Sequence, residues 1–305
     1  MNAPHHNAAK LLDTIDISSR AMKFKLSRGG TSKRIRDKGA EDRLKSATGE
    51  DGWLASRPIF KDKQSLVYKY QALANEMYAY HIKATLPFDD SSRILPNAAY
   101  FDYTAKMQRY IDDLATLKSL IVAQWDRLVQ QDVLTRNDAK VLMGRTPDAS
   151  VADYPTADTM RNTLQVTWYP EPIATANDFR FNVPPEMLAR VEQQLAEAAA
   201  EAVRDVYVRM LKPVTAFVEK LDKFTGDKGQ RWHDSFIDNL NALSSEIPKL
   251  NINDDPEVTH LLEQISTIVR PYAFQPDALK EDPVARADVK AKLAALESRI
   301  KGYAI

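Results

Sequence analysis

Residues 184–224 read PPEMLARVEQQLAEAAAEAVRDVYVRMLKPVTAFVEKLDKF, and no glycine interrupts them. Leu188, Val191, Leu195, Ala198, Ala202 and Val206 recur at three- and four-residue steps, which places them on one face of a helix. Two prolines open the run, where a helix has no use for the N–H they lack. Pro213 predicts a kink. The alanines in the stripe predict a close approach of a second helix. A helix this long must bury its stripe, so the chain is expected to form helical hairpins, a bundle or a self-associated assembly.

The rest of the chain follows the same pattern. Leu66, Tyr70, Leu73, Met77, Tyr80 and Ala84 predict a helix that stops before Pro87. TLPFDDSSRILPN then reads as a turn punctuated by two prolines. A helix is predicted from about Asn97 to Gln131, with Tyr103, Met107, Tyr110, Leu114, Ile121 and Trp125 on its stripe. LTRNDAKVLMG reads as a separate short helix capped by Thr135 or Asn137 and ended by Gly144. Further helices are expected over 231–248, after Asp255–Pro256, and after Asp282–Pro283. The β signal is weaker. TLQVTWYP and DFRFNV alternate and suit an antiparallel pair near 163–184, with TIDIS near the N-terminus as a candidate third strand. Glycine numbers only nine in 305 residues, which disfavours a turn-rich all-β fold. The expected class is mainly α, with long amphipathic hairpins or a bundle and a small antiparallel β element. The expected domains are a basic N-terminal arm over 1–56, with a short strand, and a helical domain over 57–305.

Charge is the other constraint. The chain carries 42 Lys and Arg against 42 Asp and Glu, so it offers a polyanion no overall attraction. The positive residues are nonetheless concentrated in KFKLSRGGTSKRIRDKG, residues 23–39. Lys23, Lys25, Arg28, Lys33, Arg34, Arg36 and Lys38, followed by Arg43 and Lys45, are the candidate contacts to nucleic acid or to a partner. Several phosphate contacts of this kind give salt-sensitive, sequence-independent binding. MKFKLS also alternates as an edge strand would, with lysines turned outward. A nucleic-acid surface, a docking arm and a solvated loop all fit this composition.

The usual chemistry-bearing motifs are absent. RGGTSK has the residue types of a phosphate loop at the wrong spacing, and no dinucleotide fingerprint is present. With no cysteine, disulfides and thiolate metal sites are excluded. Of the five histidines, His5 and His6 lie in the lead, and His81 reads as packed or capping. His233, in WHDS, reads as a helix start. His260 has Glu257 and Glu263 at three-residue steps, a spacing more often simply solvated than metal-binding. The acid pairs Asp89–Asp90 and Asp254–Asp255 precede helices or turns, where carboxylates satisfy free N–H groups. We expect no catalytic residues, no cofactor and no metal. No run reaches the ~18 apolar residues of a membrane helix.

TLPFDDSSRILPNAAYFDYTAKM (85–107) resembles a motif of a family of uncharacterised proteins from tailed bacteriophages and prophages. The matching residues are Tyr80–His81, Thr85–Leu86–Pro87–Phe88, Asp90, Arg93–Ile94–Leu95–Pro96, Tyr100 and Tyr103. YPEPIATANDFRFNV, FIDNLNALSSEIPKLNINDDPEV and LKEDPVARADVKAKLAALESRI are also similar, so the resemblance spans most of 60–300. It implies a phage origin and an accessory role in the cytoplasm of the infected bacterium. Proteins similar to this family are encoded near a MoxR-type AAA+ ATPase and a von Willebrand A-like protein, which implies an adaptor for that ATPase. The resemblance supplies no catalytic residues. The function expected from the sequence is therefore a non-enzymatic phage accessory protein that self-assembles and binds DNA or RNA through its basic segment.

Overall fold

The computed structural model describes residues 17–29, 34–175, 184–224, 235–273, 275 and 277–304. The elements, in chain order, begin with α1 (Ile17–Arg20), β1 (Ala21–Arg28), β2 (Arg34–Arg36), α2 (Lys38–Thr48), β3 (Ser56–Pro58) and α3 (Leu66–Ala84). Next come β4 (Leu86–Pro87), β5 (Ser92–Pro96), α4 (Tyr100–Ala123), α5 (Trp125–Leu142), α6 (Ala157–Thr163) and β6 (Val166–Glu171). The chain continues with α7 (Pro185–Lys223), α8 (Ser235–Glu246), α9 (Pro256–Val269), α10 (Asp277–Glu281) and α11 (Pro283–Ala304). The class is mainly α with a small antiparallel sheet, as the helical periodicity predicts. No helix among the described residues is long and apolar enough to cross a membrane.

The chain divides into two compact units. Unit 1 holds the residues up to Lys25, Ile82–Tyr103 and those from Tyr169 onward. Unit 2 holds Leu26–His81 and Thr104–Trp168.

Unit 1 is organised by α7, which runs through Pro213 and packs most extensively against α11. Ala198, Ala199, Ala202, Val206, Met210, Val214 and Phe217 are buried in one hydrophobic core with residues of α8, α9 and α11. The alanine seam is therefore buried within unit 1, as the close helix approach predicts. Helix starts follow the acid–Pro pairs. Asp255 caps α9 by accepting from the Glu257 N–H at 2.9 Å, and its other oxygen accepts from the buried Tyr207 hydroxyl at 2.6 Å. Asp282 accepts from the N–H groups of Val284 and Ala285 at the start of α11. Arg209 covers the other kind of helix end. Its guanidinium donates to the carbonyls of Ile82, Lys83 and Thr85, which the end of α3 leaves unpaired.

The sheet order is β4–β5–β1–β6. β1 pairs antiparallel with β5, with Phe24 opposite Arg93 and Lys23 opposite Ile94. Three expectations are corrected here. β1 is an interior strand, not an edge, because Phe24 is buried against Tyr100 and Tyr103 and holds the strand inward. The partners of this strand come partly from TLPFDDSSRILP, expected to be a turn. The Asp89 carboxylate accepts from the N–H groups of Ser91 and Ser92, which folds that stretch into the tight β4–β5 hairpin. TIDIS supplies a helical turn at Ile17–Arg20 where it is described, not a strand. DFRFNV (178–183), GDKGQ (226–230), Lys33, His5, His6 and His233 lie outside the described residues.

Among the described residues of the basic N-terminal stretch, Ala21–Arg28, Arg34–Arg36 and Lys38–Thr48 form β1, β2 and α2, and β2 pairs with β3 through Arg34–Pro58, Ile35–Arg57 and Arg36–Ser56. The close approach begins at Gly29. Its N–H donates to the Gln165 carbonyl at 2.6 Å, and an added Cβ would lie 2.6 Å from the Thr163 carbonyl oxygen. RGG thus carries a packing glycine.

Within unit 2, the helix predicted over 97–131 is broken at Gln124 (φ −108°, ψ 8°). The apolar stripe continues across the break, so periodicity could not reveal it. The break lets the Trp125 indole N–H donate to the Pro155 carbonyl at 2.7 Å. LTRNDAKVL is the second half of α5 and not a separate helix. Thr135 bonds back to the Gln131 carbonyl, and Asn137 makes a reciprocal pair with the Ala149 backbone. Tyr110 Oη donates to Glu76 at 2.8 Å. Burial first, then that carboxylate, push the Tyr110 hydroxyl from 10.0 up to about 12. A raised value in the folded state means stability that is whole below pH 10 and lost as pH climbs towards about 12. Tyr110→Phe should remove this part of the alkaline loss, as read from urea midpoints across that window.

Candidate functional site

Unit 2 carries a hollow of about 260 Å³ between the start of α2, β3, the C-terminal half of α5 and the loop that follows it. Six cationic side chains line it: Arg43, Arg57, Lys61, Arg136, Lys140 and Arg145. Three carboxylates, Asp37, Asp148 and Asp153, share the lining. The hollow is small beside the ~300–1,000 Å³ of a drug-sized ligand site. It suits a phosphate-sized group.

The floor is a buried polar network. Asp132, with 5 % of its side chain exposed, accepts from the Lys61 N–H at 2.6 Å, from the Tyr154 hydroxyl at 2.5 Å and from Arg136. Arg136 also donates to the Pro58 carbonyl at 2.9 Å. Arg57 donates to the Tyr154 hydroxyl at 3.1 Å and to Asp153 at 3.2 Å, and lies over the Tyr154 ring. Burial works against the charge on Arg136, but Asp132 and Tyr154 outweigh it and its guanidinium holds its proton more tightly than usual.

The rim is a bridge through Asp148. This carboxylate contacts Arg43 at 2.8 Å and also Lys140. Its loop follows Gly144, whose φ of 67° ends α5. Gly39 lies beneath it, and a Cβ there would stand 2.8 Å from Asp148 Oδ2, so the carboxylate would have to shift. Burial pushes the Lys140 ammonium below the ordinary lysine value, the like charge of Arg43 adds to this, Asp37 opposes it, and Arg57 and Arg136 lower it further. Burial is the leading cause, and the neighbouring guanidinium groups act in the same direction. Lys61 and Arg145 make no ion pair among the described residues. Such a constellation can seat an anion by charge-assisted hydrogen bonds, with Arg43 presenting a planar donor fork.

Most of the described basic residues lie elsewhere or are engaged by other groups of the chain. Lys23 and Lys25 belong to unit 1, where Lys23 pairs with Glu171 at 2.9 Å. Arg28 donates to Asn75 and lies 3.9 Å from the Tyr78 ring centroid. Arg34 donates to Ser56, Arg36 makes a two-point pair with Glu41, and Lys45 pairs with Asp51. Lys38 is exposed at the first turn of α2. Of the eight singled-out residues that are described, Arg43 alone lines the hollow. The other five cations were missed because they do not form a run. One signal was available: Asp132, Arg136 and Lys140 recur at four-residue steps, which places them on one helix face.

The two described histidines, His81 and His260, lie on different elements. His81 is buried on the inner face of α3. His260 is exposed beside a groove between α9 and α11, and Glu257 pairs with Arg299 at 2.8 Å. No group of three His, Cys, Asp or Glu positioned to hold a metal exists among the described residues. Comparison with known proteins adds nothing to this geometry: no protein-family profile, curated protein or solved structure matches the chain.

An anion entering the hollow would compete with Asp148 for Arg43 and Lys140. Asp148→Asn should therefore tighten binding of inorganic phosphate by about tenfold, or ~1.4 kcal/mol, in calorimetric titration. The same change should lower stability by at most about 1 kcal/mol, because Arg43 and Lys140 lose a partly exposed partner.

Proposed function

We propose that this chain is a non-enzymatic binding protein that engages the phosphate backbone of a nucleic acid through the cationic hollow of unit 2. The observation that carries the reading is the convergence of six cations on three carboxylates, with Lys61 and Arg145 unpaired among the described residues. Its lining contains no histidine and no hydroxyl nucleophile, and its carboxylates cap a helix or pair with cations. Those features favour holding an anion over transforming one. The reading moves the contact surface expected from the sequence. Arg43 stays in it, and Lys23, Lys25, Arg28, Arg34, Arg36 and Lys45 leave it because other groups of the chain already engage them or they lie in unit 1.

Backbone binding of this kind weakens with salt, with a slope set by the number of phosphates neutralised. Lys61→Ala and Arg145→Ala should each make the plot of log affinity against log salt shallower by about 0.7–0.9. Lys290→Ala, which removes a cation paired with Asp222 in unit 1, should leave the slope unchanged. Gel-shift titrations at a series of salt concentrations measure this. Equal slopes for all three variants and the parent chain would contradict the reading.

The phage resemblance also implies a MoxR-type ATPase as partner. The exposed Val141, Leu142 and Met143 at the end of α5 favour a protein contact beside the hollow. Co-purification with that ATPase, lost in Leu142→Glu, is the expected result; its absence with both proteins present removes this second reading.

A further inference from the structure

The loop between α2 and β3 presents two large apolar side chains to solvent. Trp53 is 45 % exposed and Leu54 is 84 % exposed. Neither is left there by disorder of the backbone around it. Gly49 (φ 74°) ends α2 with its N–H on the Lys45 carbonyl, and Gly52 (φ 99°) turns the chain back. The Trp53 indole N–H donates to Thr48 Oγ1 at 3.1 Å, and the Glu50 N–H reaches the same oxygen. The far end of the loop is tied by the Ala55 N–H to Glu41 and by the Ala55 carbonyl to the Asp37 N–H. Trp53 is therefore an exposed aromatic ring held at one edge, on a loop anchored to the helix that lines the hollow.

The loop and the hollow share α2. Arg43 at the hollow and Thr48 under Trp53 are five residues apart on that helix, roughly 7–8 Å along its axis and more than a full turn around it, a separation that a flexible strand can span. We propose that Trp53 is a stacking platform for an unpaired base, so that the surface takes single strands in preference to duplex. This rests on the nucleic-acid reading of the hollow and adds the strand class. In a duplex the base faces are already stacked, and presenting one to Trp53 would require extruding it. Stacking on an aromatic side chain is indifferent to sequence, in keeping with contacts made otherwise to phosphate. An anionic bilayer also attracts an exposed Trp–Leu pair beside cations. The hollow favours the strand, because Arg57 and Arg136 are recessed, with 11 % and 14 % of their side chains exposed. A flexible strand can lower a phosphate into the hollow, whereas a flat surface meets only its rim.

The test titrates the full chain with oligothymidylate, with a duplex of the same length, and with phosphatidylglycerol vesicles, at low salt. Parent chain, Trp53→Ala and Trp53→Phe are compared after thermal melting confirms that each folds alike. Oligothymidylate should bind more tightly than duplex and quench a part of the tryptophan fluorescence that Trp53→Phe lacks. Trp53→Ala should lose roughly tenfold or more for oligothymidylate and little for duplex, with Trp53→Phe keeping most of the affinity. Trp53→Ala binding oligothymidylate as the parent does would overturn the stacking role while leaving the hollow as a phosphate site. Binding to vesicles alone, lost in Trp53→Ala, would assign the loop to membrane contact and overturn the proposal. Binding of neither nucleic acid would overturn the reading of the hollow itself, and this inference with it.

Discussion

The buried carboxylate of Asp132 is the interaction on which the candidate site depends. An ionised side chain out of water is tolerated only when it is paired and hydrogen-bonded. Here its partners come from three parts of unit 2: the Lys61 backbone, Arg136 on α5 and the Tyr154 hydroxyl. Satisfying this one charge draws the β3 end, α5 and the segment before α6 together. Removing one member of such a pair costs ~3–5 kcal/mol, because the other charge is stranded. Asp132 thus lies beneath the hollow, outside its lining. Arg136 stands between the two, bound to Asp132 below and lining the cationic space above.

Charge in a sequence and charge in space differ in this protein. Four cations of the densest basic run are met by the chain's own groups, Glu171, Asn75, Ser56 and Glu41, and Asp51 takes Lys45 beyond it. The excess arises instead where isolated cations converge. Arg57, Lys61, Arg136, Lys140 and Arg145 are separated by up to tens of residues, and the fold brings them around Asp148 and Asp153. Asp148 leaves two cations, Arg43 and Lys140, sharing one carboxylate, while burial first, and the like charges of Arg43, Arg57 and Arg136 after it, weaken the hold of Lys140 on its proton.

Helix content was legible because it depends on local spacing. The stripes of α3, α4 and α7, the acid–Pro starts of α9 and α11, and β6 within TLQVTWYP all follow from residues within a few positions of one another. What was not legible depended on distant partners. The interior place of β1 requires Phe24 to meet Tyr100 and Tyr103, and no local pattern states that. The β4–β5 hairpin was hidden because two prolines mask its strands, and its turn depends on how the Asp89 carboxylate is used. The break at Gln124 lies under a continuous stripe. Among the site residues, Arg43 was named for belonging to a basic run, but it lines the hollow because α2 faces Asp148.

Amide chemical-shift mapping tests the central claim most directly. Isotope-labelled full chain is titrated at low salt with a short oligonucleotide, and shifts are followed by residue. The account predicts saturable shifts concentrated at Gly39, Arg43, Arg57, Arg136 and Lys140. Saturable binding that moves Lys23, Lys25 and Arg28 while leaving those five unmoved would contradict it.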